Sequence, residues 1–332
     1  MENPRLTFAT PTIIAGDRSL VALVAHELAH SWSGNLVTNA TWNDFWLNEG
    51  FTMYFENRIM EKLYGREYAE MLDELGFNEL KETIKEMGDT SADTHLFLNL
   101  KDRDPDDGMN DIAYIKGQFF LKTIESVVGR EKMDVFLKDY FTTHAFQSMT
   151  TDKFITYLNE HLIKGDKAIA DKIQYEKWIF GPGIPSNTFT VSSTRLARAE
   201  AQAKAFASGT APKDLDTKDW STHEWLHFLR NLPETLTKEQ CALLDSKFHF
   251  TKSGNSEILC DWFQHTIASD YLPSEAALET FLMNVGRRKF ILPLYKALVK
   301  TPEGKTFAQR VYSHARESYH SVAQESIEAL LK

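Results

Sequence analysis

The feature that most constrains this chain is His26-Glu27-Leu28-Ala29-His30, followed after a gap of eighteen residues by Glu49. On an α-helix, His26 and His30 project from one face, one turn apart, so both imidazoles can reach a single zinc ion. Glu49 can add a carboxylate from a second helix. Two histidines and a glutamate leave the fourth position of a tetrahedral zinc ion open to water, which is typical of a catalytic site. The alternative is a surface helix with two solvated histidines.

The residues around the motif favour the metal site. Residues 19–32 are rich in Leu, Val and Ala and lack Pro and Gly, so they predict a helix, which Gly34-Asn35 end. A second helix is predicted from about residue 43 to residue 63. Glu49 and Glu56 lie two turns apart on one stripe of this helix. Glu56 therefore either orients a zinc-binding histidine or forms half of a surface ion pair.

Length and composition indicate a globular protein of about two domains. The 332 residues, 42% hydrophobic and 25% charged, can bury a sizeable core. A formal charge of −10 argues against a nucleic-acid partner, and no apolar run approaches the roughly 20 residues that span a bilayer. The first residues have neither the basic nor the apolar region of a signal peptide. Cys241 and Cys260, without Cys-x-x-Cys spacing, predict reduced thiols and a cytoplasmic location.

The N-terminal half is predicted to be mostly helical after an extended segment, because residues 6–10 have strand composition between two prolines. Residues 36–42 are predicted to be a short connection between the first two helices. The breaker cluster Gly181-Pro182-Gly183-Ile184-Pro185 predicts a boundary between domains 1–185 and 186–332. Two further helices are predicted between the second helix and about residue 85, with breaks near Gly65 and Gly76. Three more are predicted at 112–128, 131–140 and 151–162.

The C-terminal half is predicted to be a succession of helices of roughly ten to fifteen residues between Pro and Gly breakers. Stacked antiparallel pairs in a solenoid-like coil are the simplest packing for such a series. The helices are predicted at 195–207, 219–231, 238–248, 257–268, 275–283, 287–300, 305–317 and 321–331.

Several blocks of the sequence, taken together, resemble the M1 family of zinc aminopeptidases, which are gluzincins. They are Met1-Glu2-Asn3-Pro4, His26-Glu27-x-x-His30, Asn48-Glu49-Gly50 and Tyr114-x-Lys116-Gly117. Residues 31–39, 45–50 and 286–290 are similar to the leukotriene A4 hydrolase/aminopeptidase B branch. The resemblance covers essentially the whole chain. It implies a mainly α protein: a thermolysin-like catalytic domain, mostly its helical lobe, and an all-helical, solenoid-like (armadillo/HEAT-like) C-terminal domain.

The resemblance also implies a metallo-aminopeptidase with one zinc ion per chain, held by His26, His30 and Glu49. Zinc lowers the pKa of its water toward neutrality. Glu27 then takes a proton from that water and later gives it to the leaving amine. Tyr114 donates a hydrogen bond to the oxyanion of the tetrahedral intermediate. Without the family context, Tyr114 would be interpreted as a packed side chain of an amphipathic helix.

Other residues are implied to bind the substrate. Glu2 matches a carboxylate that binds the free α-ammonium group, which would restrict cleavage to the first residue of a short peptide. Otherwise it is a solvated carboxylate near the chain terminus. Phe45 forms a wall of the substrate pocket or only packs. Arg287 and Lys289 match a basic pair for the substrate's C-terminal carboxylate, or form a solvated charged turn.

Two departures from the branch pattern bear on function. The chain begins at the Met of a Gly-x-Met-Glu-Asn block, so we expect the preceding glycines and a β-rich N-terminal domain to be absent. The branch also has a tyrosine five residues before its catalytic tyrosine, where this chain has Met109. Asp106 matches the carboxylate that directs water in the branch's lipid-epoxide reaction, and is otherwise an acid for basic substrate side chains or a turn residue.

Peptidase activity is therefore the predicted function, and epoxide hydrolysis, alone or beside it, is the alternative. A non-catalytic helical scaffold would have lost a metal ligand or Glu27, and the sequence retains all of them. The expected partners are short peptides, without a nucleic acid or membrane partner, and the expected state is a monomer.

Overall fold

The structure, a computed structural model, describes residues 1–189 and 191–332. Helices dominate, which confirms the predicted mainly α class. The first of two compact units contains Met1–Ala9 and Val21–Thr194, and the second contains Thr10–Leu20 and Arg195–Lys332. Each unit has its own buried apolar core. No helix in the described part of the chain combines the length and apolar character that crossing a bilayer requires.

The first unit is built around its second helix, α2 (Trp46–Tyr64), which packs against α1 (Val21–Ala29), α3 (Arg66–Met87) and α4 (Gly117–Val128). Two short parallel strands, β1 (Val37–Asn39) and β2 (Gln147–Met149), pair beside the helices. Helices α1 to α8 span, in order, Val21–Ala29, Trp46–Tyr64, Arg66–Met87, Gly117–Val128, Arg130–Thr143, Thr151–Leu158, Lys167–Ile173 and Tyr175–Ile179.

Helix α2 is central because its apolar side chains are among the most buried of the first unit. Trp46, Phe51 and Tyr54 are fully buried in the core. The indole N–H of Trp46 donates a hydrogen bond to Thr151 Oγ1 at 3.1 Å, so the polar atom of this large side chain is also satisfied. The helix that carries Glu49 is therefore fixed at its first turn.

A π-helical turn, Ile112–Lys116, leads directly into α4. A π-turn contains one more residue than an α-turn and commonly occurs at functional sites. Tyr114 lies in its middle. The sequence predicted a continuous helix over residues 112–128, and the boundaries agree, but the inserted residue in the first turn was not predicted.

The first unit differs in detail from the expectations at three places. Helix α3 runs through Gly76, because its buried face, which includes Leu80 and Ile84, outweighs the roughly 1 kcal/mol that a helical glycine costs. Residues 6–10, all described, form no strand, and Leu6 and Phe8 are exposed. The predicted connection after α1 contains β1, which is too short to show an alternating pattern.

The second unit is all-helical, as predicted. Helices two apart along the chain pack on one another, as stacked helix pairs require. Helix α12 (Ser256–Ala268) contacts α10 (Thr222–Arg230) and α14 (Arg288–Leu298), and α16 (Ser321–Leu331) contacts α14. Cys241 and Cys260 are buried free thiols. Helices α9 to α16 span Thr194–Ala207, Thr222–Arg230, Lys238–Phe248, Ser256–Ala268, Glu275–Asn284, Arg288–Leu298, Pro302–Ala315 and Ser321–Leu331.

Candidate active site

Helices α1 and α2 bring together the three side chains that were predicted to bind a metal ion. The Nε2 atoms of His26 and His30 are 3.1 Å apart. The Oε2 atom of Glu49 lies 3.3 Å from the first nitrogen and 3.6 Å from the second. Zinc binds nitrogen and oxygen ligands at about 2.0–2.2 Å, so two ligands of a tetrahedral ion lie roughly 3.3 Å apart. The three atoms have the separations that one zinc ion needs.

The electrostatics of this group also fit a cation. Oε2 of Glu49 and Oε2 of Glu27 are buried and accept no hydrogen bond from the described residues. Such buried, unpaired oxygens are rare in proteins and indicate a missing partner. Burial lowers the pKa of His26, but its interactions with Glu49 and Glu56 outweigh it and raise that pKa to about 10. The two carboxylates therefore favour a positive charge at His26, and the three side chains fit a divalent ion.

The ring of His26 is oriented by Glu56 from the opposite side. His26 Nδ1 lies 3.0 Å from Glu56 Oε2, and both side chains are largely buried. When Nδ1–H donates to this carboxylate, the lone pair of Nε2 is free for a metal ion. Glu56 can face α1 because it lies two turns beyond Glu49 on the same stripe of α2.

The ring of His30 is oriented by neutral oxygens that the sequence interpretation did not identify. His30 Nδ1 lies 3.0 Å from both Ser33 O and Asn48 Oδ1, and 3.1 Å from Thr52 Oγ1. Asn48 and Thr52 are four residues apart on α2, a spacing that could have indicated a shared face. The contact with Ser33 uses a backbone carbonyl, which no side-chain pattern could indicate.

Acidic side chains flank the group of His26, His30 and Glu49. The ligand atoms of Glu2, Glu27 and His30 all lie within 4.8 Å of one another. The side chain of Glu27 is only 8% exposed. Two carboxylates this close repel each other unless a cation lies nearby, so this edge of the site favours an ammonium group.

Tyr114 lies beside the same group. Its ring stacks on that of His26, with centroids 6.3 Å apart and planes inclined by 13°. Phe45 meets it edge to face at 5.9 Å. Burial, followed by the charge of Glu49, raises the pKa of Tyr114 well above its usual value. The phenol stays protonated at neutral pH and can donate a hydrogen bond into the site.

The remaining residues predicted to contact the substrate make local interactions. Phe45 is only 5% exposed. Asp106 is exposed, and its backbone N–H donates to Asp104 Oδ1 in a short turn. In the second unit, Lys289 Nζ lies 2.5 Å from Glu257 Oε1. The guanidinium of Arg287 lies over the ring of Phe290.

Comparison with known protein families gives two matches along the chain. Residues 1–178 match the peptidase family M1 domain. Residues 220–331 match the domain described as leukotriene A4 hydrolase, C-terminal. Together the two matches account for most of both structural units.

Individual proteins and a solved structure are also similar to this chain along nearly its whole length. A leucine aminopeptidase 2 from Ajellomyces capsulatus is 35% identical over 98% of this chain and 53% of its own length. A leukotriene A-4 hydrolase homolog from Botryotinia fuckeliana is 33% identical over 100% of this chain and 52% of its own length. The structure of native leukotriene A4 hydrolase from Saccharomyces cerevisiae is 31% identical, with a TM-score of 0.90, over 100% of this chain and 56% of that one. The chain therefore spans about half the length of these relatives.

Proposed function

Because the chain belongs to peptidase family M1, we propose that it acts as a zinc-dependent aminopeptidase that removes N-terminal residues from short peptides. One observation carries the proposal: the ligand atoms of His26, His30 and Glu49 lie 3.1–3.6 Å apart, beside the buried carboxylate of Glu27. The relatives named leucine aminopeptidase 2 support the same reaction class.

We infer that one zinc ion per chain is held by His26, His30 and Glu49. Bound there, zinc would lower the pKa of a coordinated water toward neutrality and polarise the scissile carbonyl group. His26 must first lose the proton that Glu49 and Glu56 favour, because only a neutral imidazole ligates a metal. Glu56 then keeps the ring in its ligating orientation through Nδ1.

Among the protein side chains, Glu27 is assigned the proton transfer and Tyr114 the stabilisation of the oxyanion. The carboxylate of Glu27 accepts a proton from the attacking water and passes it to the amine nitrogen of the leaving peptide as the C–N bond breaks. The hydroxyl of Tyr114 donates a hydrogen bond to the carbonyl oxygen while that oxygen gains negative charge. Its raised pKa keeps the proton on the phenol during this step.

The restriction to the peptide N-terminus is assigned to Glu2. Its carboxylate lies within 4.8 Å of the ligand atoms of Glu27 and His30, where it can bind the α-ammonium group of a substrate. Phe45, packed on Tyr114, is assigned to the wall of the substrate pocket. The proposed role of Arg287 and Lys289 in binding the peptide carboxylate is supported by the family resemblance alone. The resemblance relates Asp106 to the lipid-epoxide reaction, and its proposed role as an acid for basic substrate side chains is supported only by its charge.

The test combines metal analysis with a peptidase assay. The purified chain should contain one zinc ion and should hydrolyse a leucyl anilide, and a chelator should abolish turnover until zinc is restored. Glu49→Gln should lose both zinc and turnover. The matched control is Glu70→Gln, an exposed carboxylate paired with Arg66 on α3, which should retain both. Stoichiometric zinc without turnover on any aminoacyl anilide would contradict the proposal.

Epoxide hydrolysis of the leukotriene A4 hydrolase type is the second candidate function. It is favoured by the match of residues 220–331 to the leukotriene A4 hydrolase C-terminal domain. It is disfavoured by Met109, an exposed methionine where the branch has a tyrosine. Parallel assays of a lipid epoxide and an amino-acid anilide distinguish the two, since turnover of the epoxide alone would favour this candidate.

For the organisation of the protein we propose a metallopeptidase domain at residues 1–185 and a helical domain at 186–332. We further propose a monomer located in the cytoplasm, where its two free thiols would stay reduced. Short peptides are the proposed partners, and the net charge of −10 disfavours nucleic acid and anionic membranes.

A further inference from the structure

Helix α2 and the segment that carries Tyr114 touch backbone to backbone at a pair of glycines. A Cβ atom placed on Gly50 would lie 2.8 Å from Gly117 Cα and 3.2 Å from Ala113 O. A Cβ atom placed on Gly117 would lie 2.8 Å from Gly50 Cα. Carbon atoms in contact are normally about 3.5–4.0 Å apart, so any other residue at either position would force the two segments apart.

The two glycines are close in sequence to the groups proposed to react. Gly50 directly follows Glu49 on α2, and Gly117 lies three residues after Tyr114. The N–H of Gly117 donates to the carbonyl of Ile112, which closes the π-helical turn. The contact between the glycines therefore joins the helix of a metal ligand to the turn that places the phenol.

We propose that Gly50 and Gly117 are positioning residues, whose backbone contact sets the distance between the hydroxyl of Tyr114 and the group of His26, His30 and Glu49. The inference rests on the proposed aminopeptidase function, because that function gives Tyr114 its role. The glycines themselves touch no substrate and act only through the placement of the phenol.

The expected effect can be bounded from the geometry. Relieving a contact of 2.8 Å to about 3.6 Å displaces the π-turn by roughly 1 Å, and a misplacement of this size costs up to about 100-fold in rate. Gly76 on α3 provides a matched control, because it faces the same turn. An added Cβ there would lie 3.5 Å from Ile115 Cγ2, which is an ordinary contact.

The experiment compares Gly117→Ala, Gly76→Ala, Tyr114→Phe and the double variant Gly117→Ala/Tyr114→Phe. Zinc content, kcat and KM for a leucyl anilide, and thermal unfolding are measured for each. We expect Gly117→Ala to keep its zinc and KM while kcat falls about 10- to 100-fold, and Gly76→Ala to stay within about twofold of the parent. Because the glycine acts through the phenol, the double variant should be no slower than Tyr114→Phe.

The inference is overturned if Gly117→Ala keeps the parental kcat. It is also overturned if the fold-reduction in kcat of the double variant equals the product of the fold-reductions of the two single variants. If Gly117→Ala does not fold, Gly50→Ala makes the same contact from the opposite helix and replaces it. A crystal structure of the folded variant gives a readout independent of turnover: the Tyr114 hydroxyl should move relative to Glu49 while His26 and His30 stay in place. If the parent binds zinc but is inactive, the proposed function fails. In that case the positioning role is judged from the crystal structure of the variant, and it is overturned if the Tyr114 hydroxyl has not moved.

Discussion

At the scale of single residues, the two histidines of the site are supported by different kinds of partner. His26 Nδ1 faces a carboxylate, Glu56, whereas His30 Nδ1 faces neutral oxygens, among them Asn48 Oδ1 and Thr52 Oγ1. A carboxylate partner makes the imidazole a stronger base than a neutral oxygen does, and so strengthens its bond to a metal. The affinity of the site for zinc should therefore depend on Glu56, which does not itself touch the metal position.

Replacing Glu56 with Gln tests this dependence. The amide keeps the size of the side chain but removes the charge from His26, and losses of such partners typically weaken metal binding about 10- to 100-fold. The measurement is a zinc titration against a competing chelator. Glu61→Gln is the control, because Glu61 lies on the same helix and pairs with Arg130 away from the site. Equal affinities for the two variants would contradict the role of Glu56.

Replacing Glu27 with Gln should separate chemistry from metal binding. Oε2 of Glu27 is buried and unpaired among the described residues, but the carboxylate is not one of the three proposed zinc ligands. We expect kcat to fall about 10²- to 10⁴-fold with the zinc content unchanged, because an amide cannot accept the proton of the attacking water. Steady-state kinetics and metal analysis on one preparation measure both. Parental turnover with full zinc occupancy would rule out Glu27 as the base.

The sequence indicated which residues to consider at this site, but not everything that holds them. The spacing of His26, His30 and Glu49 predicted a ligand set because helical geometry is regular enough to place side chains. The Ser33 carbonyl at His30 could not be predicted, since it depends on how the chain turns after α1. Gly50 and Gly117 were visible only as members of motifs, because a backbone contact leaves no side-chain pattern.

At the scale of elements, the π-turn is fixed by a buried lysine as well as by Gly117. Lys116 is fully buried, and its ammonium donates to the carbonyls of Thr94 and Gly181, at 2.7 and 2.8 Å. The turn is thereby joined to two loops. Burial lowers the pKa of Lys116 to about 7, because no carboxylate offsets the loss of water.

Lys116 should make the stability of the chain pH-dependent. In the unfolded chain the lysine keeps an ordinary pKa near 10.5, so between about pH 7 and 10.5 the unfolded state binds more protons than the folded state. The unfolding free energy of the parent, relative to Lys116→Met, should rise with pH across this window by up to about 1.4 kcal/mol per pH unit. Below pH 7 the difference should be flat.

Urea unfolding at pH 7.5, 8.5 and 9.5, followed by tryptophan fluorescence, measures this difference. The comparison starts above pH 7 to stay clear of His95, whose pKa burial and then Lys116 lower from its usual value. Lys138→Met, at an exposed position of α5, is the control and should follow the parent. A difference between the parent and Lys116→Met that does not change with pH would show that the lysine is not desolvated in the folded chain.

The predicted helix boundaries were accurate where Pro or Gly residues mark the helix ends. The helices of the second unit were placed to within a few residues because Pro and Gly occur between them, and α11 and α16 match their predicted ranges. The same reasoning failed at Gly76, where burial of α3 overrides the local preference. The π-turn at Tyr114 was missed because one inserted residue leaves the apolar periodicity of α4 nearly unchanged.

At the scale of the whole molecule, the chain has two separate apolar cores. The first contains the aromatic side chains around α2, and the second is formed by the stacked helices from α9 onward. Residues 10–20 belong to the second unit, where Ser19 Oγ accepts a hydrogen bond from Asn255 Nδ2 at 3.1 Å. A sequence boundary drawn at a breaker cluster cannot reveal this, because it assumes that each domain is one continuous stretch of chain.

Zinc should stabilise only the first of these units, because both groups of potential metal ligands found in the described residues lie there. At free zinc about 1,000 times the dissociation constant, binding adds roughly 4 kcal/mol, which corresponds to about 8–16 °C in a unit of this size. Scanning calorimetry should therefore show two transitions, of which chelation lowers only one. Glu49→Gln should already show the lowered transition and no response to chelator. Equal shifts of both transitions would mean that the metal and the second core are energetically coupled.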